Sequence, residues 1–155
     1  RVRSSAASDV YKRQAYNGGV RFTNGDTIIA RITPCLENGK AAYINILNDG
    51  EVAFGSTEYI VFAPKGKMPS CFYYFLIRNS QFVTFALQFM NGSSGRQRVS
   101  GEELASFPLL SPSETDLKAF EKVGSMVLEK MKQHTEEILL LQQLRETITA
   151  TLSSR

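Results

Sequence analysis

The feature that most constrains this chain is an apolar seam running through its last third. Stepping alternately by three and four residues from Leu117 reaches Phe120, Gly124, Val127, Met131, His134, Ile138, Leu141, Arg145, Ile148 and Leu152, and all but Gly124, His134 and Arg145 are apolar. No proline interrupts the segment after Pro112. This is the spacing of a coiled coil. A single helix over residues 113–155 would extend about 60 Å at about 1.5 Å per residue, too long to lie along the domain that precedes it. Much of the helix must therefore find another partner. Ser113 with Asp116 three residues on has the form of a capping box with Asp in place of Glu, which starts the helix just after Pro112.

The interruptions in the seam carry their own expectation. Glycine inside a helix costs about 1 kcal/mol relative to alanine. A seam arginine must be paired or must snorkel to water, and His134 reads as a tolerated polar residue that helps set register. Together these positions suggest a particular partner helix. The plainer alternative is a coiled-coil protein-interaction scaffold.

Composition bounds what precedes the helix. With 43% hydrophobic and 21% charged residues, the 155-residue chain is neither disordered nor fibrous, and it is large enough for one core and an appendage. No apolar run approaches the roughly 20 residues needed to cross a bilayer as a helix. The expected location is the cytoplasm, with no membrane contact. Cys35 and Cys71 stand apart, with His134 the single histidine. That set assembles no zinc site, and both cysteines are expected as reduced core thiols. The net charge of +3 is concentrated before Pro112, which is compatible with a polyanionic partner.

Residues 1–14, RVRSSAASDVYKRQ, are polar and aperiodic and read as a non-native or disordered leader. Residues 15–112 then form one domain. DTIIARI (26–32), KAAYINIL (40–47) and EYIVFA (58–63) predict three strands, and residues 51–54 offer a short fourth. Asn38-Gly39 and Asn48-Asp49-Gly50 supply tight turns between them, so one mainly antiparallel sheet is expected. CFYYFLIRN (71–79) and SQFVTFALQFM (80–90) predict two short, mostly buried helices. Their aromatic residues Phe72, Tyr73, Tyr74, Phe75, Phe82, Phe85 and Phe89 read as core rather than as a stacking platform for bases. The fold class is α+β: a mainly antiparallel sheet with packed short helices, followed by a long coiled-coil helix.

The chemistry concentrates in MNGSSGRQRVS, residues 90–100. Glycines and serines expose backbone and hydroxyl donors, while Arg96, Gln97 and Arg98 bring two forked guanidinium groups and a bidentate amide. Arginine matches the O6/N7 edge of guanine and glutamine the N6/N7 edge of adenine. The bland alternative is a flexible polar connection between a helix and a strand. Upstream, Arg31, Thr33, Glu37, Asn38 and Lys40 surround a turn without the second carboxylate that a nuclease would require. A solvated hairpin accounts for these charges, with DNA contact as the alternative. No Walker loop and no G-x-G-x-x-G stands between strand and helix.

At this point the residues carry a resemblance. NGDTIIARITPCLENGKAAYI, GSTEYIVFAP, FYYFLIRNSQF, MNGSSGRQRVS and FPLLSPSETDLKAF, followed by a long helix ending LLLQQLRETITATL, occur in that order over residues 20–152. This succession resembles one half of a type I restriction-modification specificity subunit, a target recognition domain with one conserved helix. The resemblance implies a non-catalytic, sequence-specific duplex-DNA-binding subunit that reads one half of a bipartite site. It further implies docking to a methyltransferase subunit, association with a motor-nuclease subunit, and pairing with a second specificity half. S-adenosylmethionine, ATP and Mg would sit on the partner subunits and none on this chain. The side-chain chemistry of the loop and turn makes Arg31, Lys40, Ser94, Arg96, Gln97 and Arg98 the expected DNA contacts. The expected helix-pairing residues are the apolar seam positions Leu117, Phe120, Val127, Met131, Ile138, Leu141, Ile148 and Leu152.

Overall fold

The computed structural model describes residues 18–153, so the expected leader at 1–14 lies outside the described residues. Among the described residues five strands come first: β1 (Val20–Phe22), β2 (Thr27–Ala30), β3 (Ala41–Tyr43), β4 (Ala53–Gly55) and β5 (Tyr59–Phe62). Four helices follow: α1 (Ser70–Ile77), α2 (Ser80–Gln88), α3 (Gly101–Ala105) and α4 (Glu114–Ser153). The strands form two antiparallel sheets rather than the single sheet expected, one of order β3-β2-β5 and a two-stranded β1-β4 ribbon. β1 was not foreseen; Phe22 pairs with Ala53, so a three-residue segment gains its partner from far along the chain.

The run TIIA is central to the fold. All four residues of β2 are buried, and its alternating side chains feed two cores. Ile28 packs with Phe22, Ile44, Tyr59 and Val61 between the sheets. Ile29 packs on the opposite face with Leu36, Ile60, Phe62, Ile77 and Phe82. β5 divides in the same way, which explains why its sequence reads as a continuous apolar run.

The predicted helices at 71–79 and 80–90 correspond to α1 and α2. Pro69 stands at the N-cap of α1, and Asn79 caps α2 by accepting from the Gln81 amide. Phe82 and Phe85 each meet Phe107 edge-on at 5.2 Å between centroids, but of the seven aromatics expected as core only Tyr74 and Phe82 are buried, while Phe72, Tyr73, Phe75, Phe85 and Phe89 are half-buried at its margin. After Val99, where a strand would follow if the segment were a polar connection between helix and strand, the chain forms α3, whose capping box joins the Ser100 hydroxyl and the Glu103 carboxylate to each other's backbone amides. Cys71 is buried as expected, whereas Cys35 is half-buried in the turn after β2 rather than in the core.

α4 holds 40 residues, with Ser113 Oγ accepting from the Asp116 amide at its start. Its first part packs on α1, burying Gly124 and Leu128 against Cys71, Tyr74 and Phe75. Gly124 is therefore not the mark of a partner helix that its place in the seam suggested. A Cβ there would stand 2.9 Å from Cys71 Sγ and 3.1 Å from a Phe75 ring carbon, so glycine lets α4 approach its own domain. Beyond Leu128 the helix is exposed save for half-buried Lys132. No helix among the described residues is long and apolar enough to cross a membrane.

Candidate nucleic-acid interface

The C-terminal end of β2 gathers most of the candidate residues. Arg31 is the junction. Its N–H donates to the Glu58 carbonyl at 2.9 Å, while its own carbonyl accepts from the Val99 amide at 3.1 Å. Residues 97–99 thus continue the edge that β5 occupies further back, with Ile32 bridged to Arg98 and the Thr33 amide donating to the Gln97 carbonyl. On the other edge the Ala30 amide donates to the carbonyl of Lys40, whose side chain is exposed. The Thr33–Pro34 peptide bond, in the turn beyond Arg31, is cis.

The segment read from composition as a flexible connection is a closed hairpin. Asn91 and Arg98 exchange both backbone bonds, at 2.9 and 2.8 Å, and the Arg96 amide donates to the Ser93 carbonyl across the tip. The glycines have a definite reason to be there. Gly92 has φ of +130° and Gly95 of +75°, and a Cβ on Gly92 would press to 3.2 Å from the Arg96 carbonyl oxygen. Ser93, Ser94, Gly95 and Arg96 are exposed at the tip, and Gln97 is half-buried as the chain returns to the sheet. Among the described residues, no hydrogen bond or ion pair engages the side chains of Lys40, Ser94, Arg96 or Gln97.

Arg98 differs from them. Its Nε donates to both carboxylate oxygens of Glu58 at 3.0 and 2.9 Å, its Nη2 to Oε1 at 2.8 Å, and its Nη1 to the Arg96 carbonyl at 3.0 Å. The hydrogen bond from Arg98 holds the Glu58 carboxyl below its ordinary value of 4.5, and Arg31 adds attraction. Glu103 is lowered as well, mainly by its bond from the Ser100 amide. Arg31 is half-buried, and its Nε is shielded from solvent without an acceptor among the described residues. Glu58 is the residue that sequence reasoning passed over. It lies 40 positions from Arg98, and nothing in its local sequence names that partner.

The seam residues divide. Phe120 packs edge-on against Phe72 and Phe75, at 5.8 and 5.7 Å between centroids, and Leu117 is half-buried near the start of α4. Val127, Met131, Ile138, Leu141, Ile148 and Leu152 are all exposed, Leu141 by 57% and Leu152 by 67%.

Among the described residues, no group of three or more His, Cys, Asp or Glu side chains comes together to hold a metal ion. A shallow cleft of about 400 Å³ lies between α2 and Phe107-Pro108, lined by Ser80, Gln81, Thr84, Phe85 and Gln88, and contains no titratable group. The arrangement offers hydrogen-bond donors on a braced hairpin beside exposed cations, which suits the edges and phosphates of nucleic acid.

The chain is 31% identical over 141 residues to the type I restriction enzyme EcoEI specificity subunit of Escherichia coli, covering 88% of this chain and 24% of the relative. It is 33% identical to the EcoAI specificity subunit of the same organism, with the same coverage. The chain therefore spans about a quarter of the length of these relatives. A profile described as "Type I restriction modification DNA specificity domain" matches residues 2–150, and the chain belongs to that family.

Proposed function

We propose that this chain reads one half of a bipartite duplex-DNA site for a type I restriction-modification complex, and that it does so without catalysing a reaction itself. The observation that carries the reading is the hairpin at 91–98, which holds Arg96 and Gln97 on a hydrogen-bonded base with their side chains uncommitted. Arg96 supplies a fork for a guanine edge and Gln97 a bidentate amide for adenine, each good pair contributing about 1–3 kcal/mol of discrimination. Lys40 and Ser94 fit phosphate contacts, which set affinity and register but carry no sequence information. Arg31 and Arg98 belong to the same end of the sheet and are tied into its framework.

The proposal divides the chain at the start of α4, with residues 15–112 as the recognition domain and 113–155 as the spacer helix. The exposed residues from Val127 to Leu152 pair with the helix of a second specificity half and dock a methyltransferase subunit. A motor-nuclease subunit joins that complex. S-adenosylmethionine, ATP and Mg belong to those partners. The complex works in the cytoplasm.

Co-expression of the full-length protein with a type I methyltransferase subunit, followed by single-molecule sequencing of host DNA, tests this directly. The expected result is methylated adenine in one bipartite motif, with duplex binding whose affinity falls by a log–log salt slope of about 0.9 per phosphate contacted. Absence of any methylated motif together with no duplex binding at low salt would overturn it.

A further inference from the structure

Arg98 is the most engaged residue of the hairpin. Its backbone closes the hairpin on Asn91 and bridges to Ile32. Its side chain spans from Glu58, in the turn between β4 and β5, to the carbonyl of Arg96 at the tip. The side-on face of the guanidinium, Nε with Nη2, is occupied by the Glu58 carboxylate, and one Nη1 donor is occupied by Arg96. To read a guanine through that face, Arg98 would have to give up a charge-assisted bidentate pair and release the Arg96 carbonyl. Arg96 and Gln97 face no such exchange.

Resting on the function proposed above, we propose that Arg98 and Glu58 form a latch that positions Arg96 and Gln97 for DNA reading, so that Arg98 sets specificity through its neighbours rather than by touching a base. The latch joins the two segments that meet at Arg31, one from the β4–β5 turn and one from the hairpin, and so ties the tip to the rigid sheet. Bidentate pairs fix orientation as well as distance, which a single lysine contact does not. Glu58 becomes a specificity residue that contacts no DNA. Its negative charge, near a polyanion, would by itself weaken binding, so its removal separates two outcomes by sign.

The test compares wild type, Glu58→Gln and Arg98→Lys in the full-length protein, co-expressed with the methyltransferase subunit. Two readouts are taken: the methylated motif, and amide hydrogen exchange at Thr33, Asn91, Arg98 and Val99. The latch predicts that both variants blur two or more adjacent positions of this half-site and leave the other half-site intact. Both should speed exchange at those amides on the order of tenfold, with α1 and β2 unchanged. If Arg98 reads a base directly, Arg98→Lys relaxes one position while Glu58→Gln keeps the motif or tightens binding, and the latch is wrong. It is also wrong if the hairpin amides stay slow in both variants, or if exchange quickens throughout the domain. A wild-type protein that yields no motif and binds no duplex sinks the underlying function instead, whatever the variants do.

Discussion

The two parts of α4 show the same apolar spacing and live in different surroundings. From Glu114 to Leu128 the helix is docked: Gly124 and Leu128 are buried, Phe120 touches two rings of α1, and Lys67 pairs with Glu114 at the helix start. From Glu129 to Ser153 nearly every residue is exposed, including Ile138, Leu141, Ile148 and Leu152. The seam is thus covered by α1 at Phe120 and Gly124 and left open from Val127 onward. The docked part fixes the direction in which the open part leaves the domain. The spacer role proposed for α4 needs both properties, since a helix that swivelled on its domain could not hold two recognition surfaces at a set distance.

The contrast breaks most readily at Leu128. Only 5% exposed, it fills the junction of α1, β3 and α4. Leu128→Ala should lower unfolding stability by about 2–5 kcal/mol, read by denaturant titration. A loss below about 1 kcal/mol would mean that the first part of the helix is no better docked than the second.

Gly124→Leu comes next. Leucine gains about 1 kcal/mol of helix propensity, but overpacking against Cys71 and Phe75 costs about 1–3 kcal/mol and occasionally more, so the net change is a smaller loss of up to about 2 kcal/mol. The same variant should expose Cys71 to thiol reagents. In the wild-type protein burial raises the Cys71 thiol above its ordinary value and keeps it unreactive, while half-buried Cys35 labels first. Labelling of Cys71 as fast as Cys35 in the wild type would show that α4 does not stay docked. Ser113→Ala should then remove about 1 kcal/mol by leaving the Asp116 amide without its cap, provided the first turn is held in place.

How far the sequence could reveal this follows from the range of each signal. β2 and β5 were legible as short apolar, β-branched runs bounded by turn residues, and β3 because its segment alternates in part. β1 was not, since three residues centred on Arg21 show no period and their partner β4 is remote. α3 hid for a similar reason, although Ser100 and Glu103 are a capping box that local reading can find. The hairpin's donors were legible from composition, but its closure by Asn91 and Arg98 was not. The Glu58 pair lay beyond reach, because nothing in a single sequence joins positions so far apart. Gly124 was misread because a helical period records that a face is covered without saying by what. Contact with α1 and contact with a foreign helix leave the same spacing.

The smallest stability effect in this series is the most informative about the open part. Leu141 is 57% exposed, and no residue of α4 beyond Leu128 is buried. An exposed side chain has little contact to lose, so Leu141→Ala should change the stability of the unpartnered protein by no more than about 0.5 kcal/mol. The same substitution removes apolar area from the surface proposed to pair with a second helix. There the effect should appear as weaker association in sedimentation or in co-purification with the methyltransferase subunit. An unfolding loss as large as that of Leu128→Ala would erase the distinction between the two parts. Unchanged stability with weakened assembly would place the open seam at the partner interface, because only a surface that is covered on assembly can register the loss there and nowhere else.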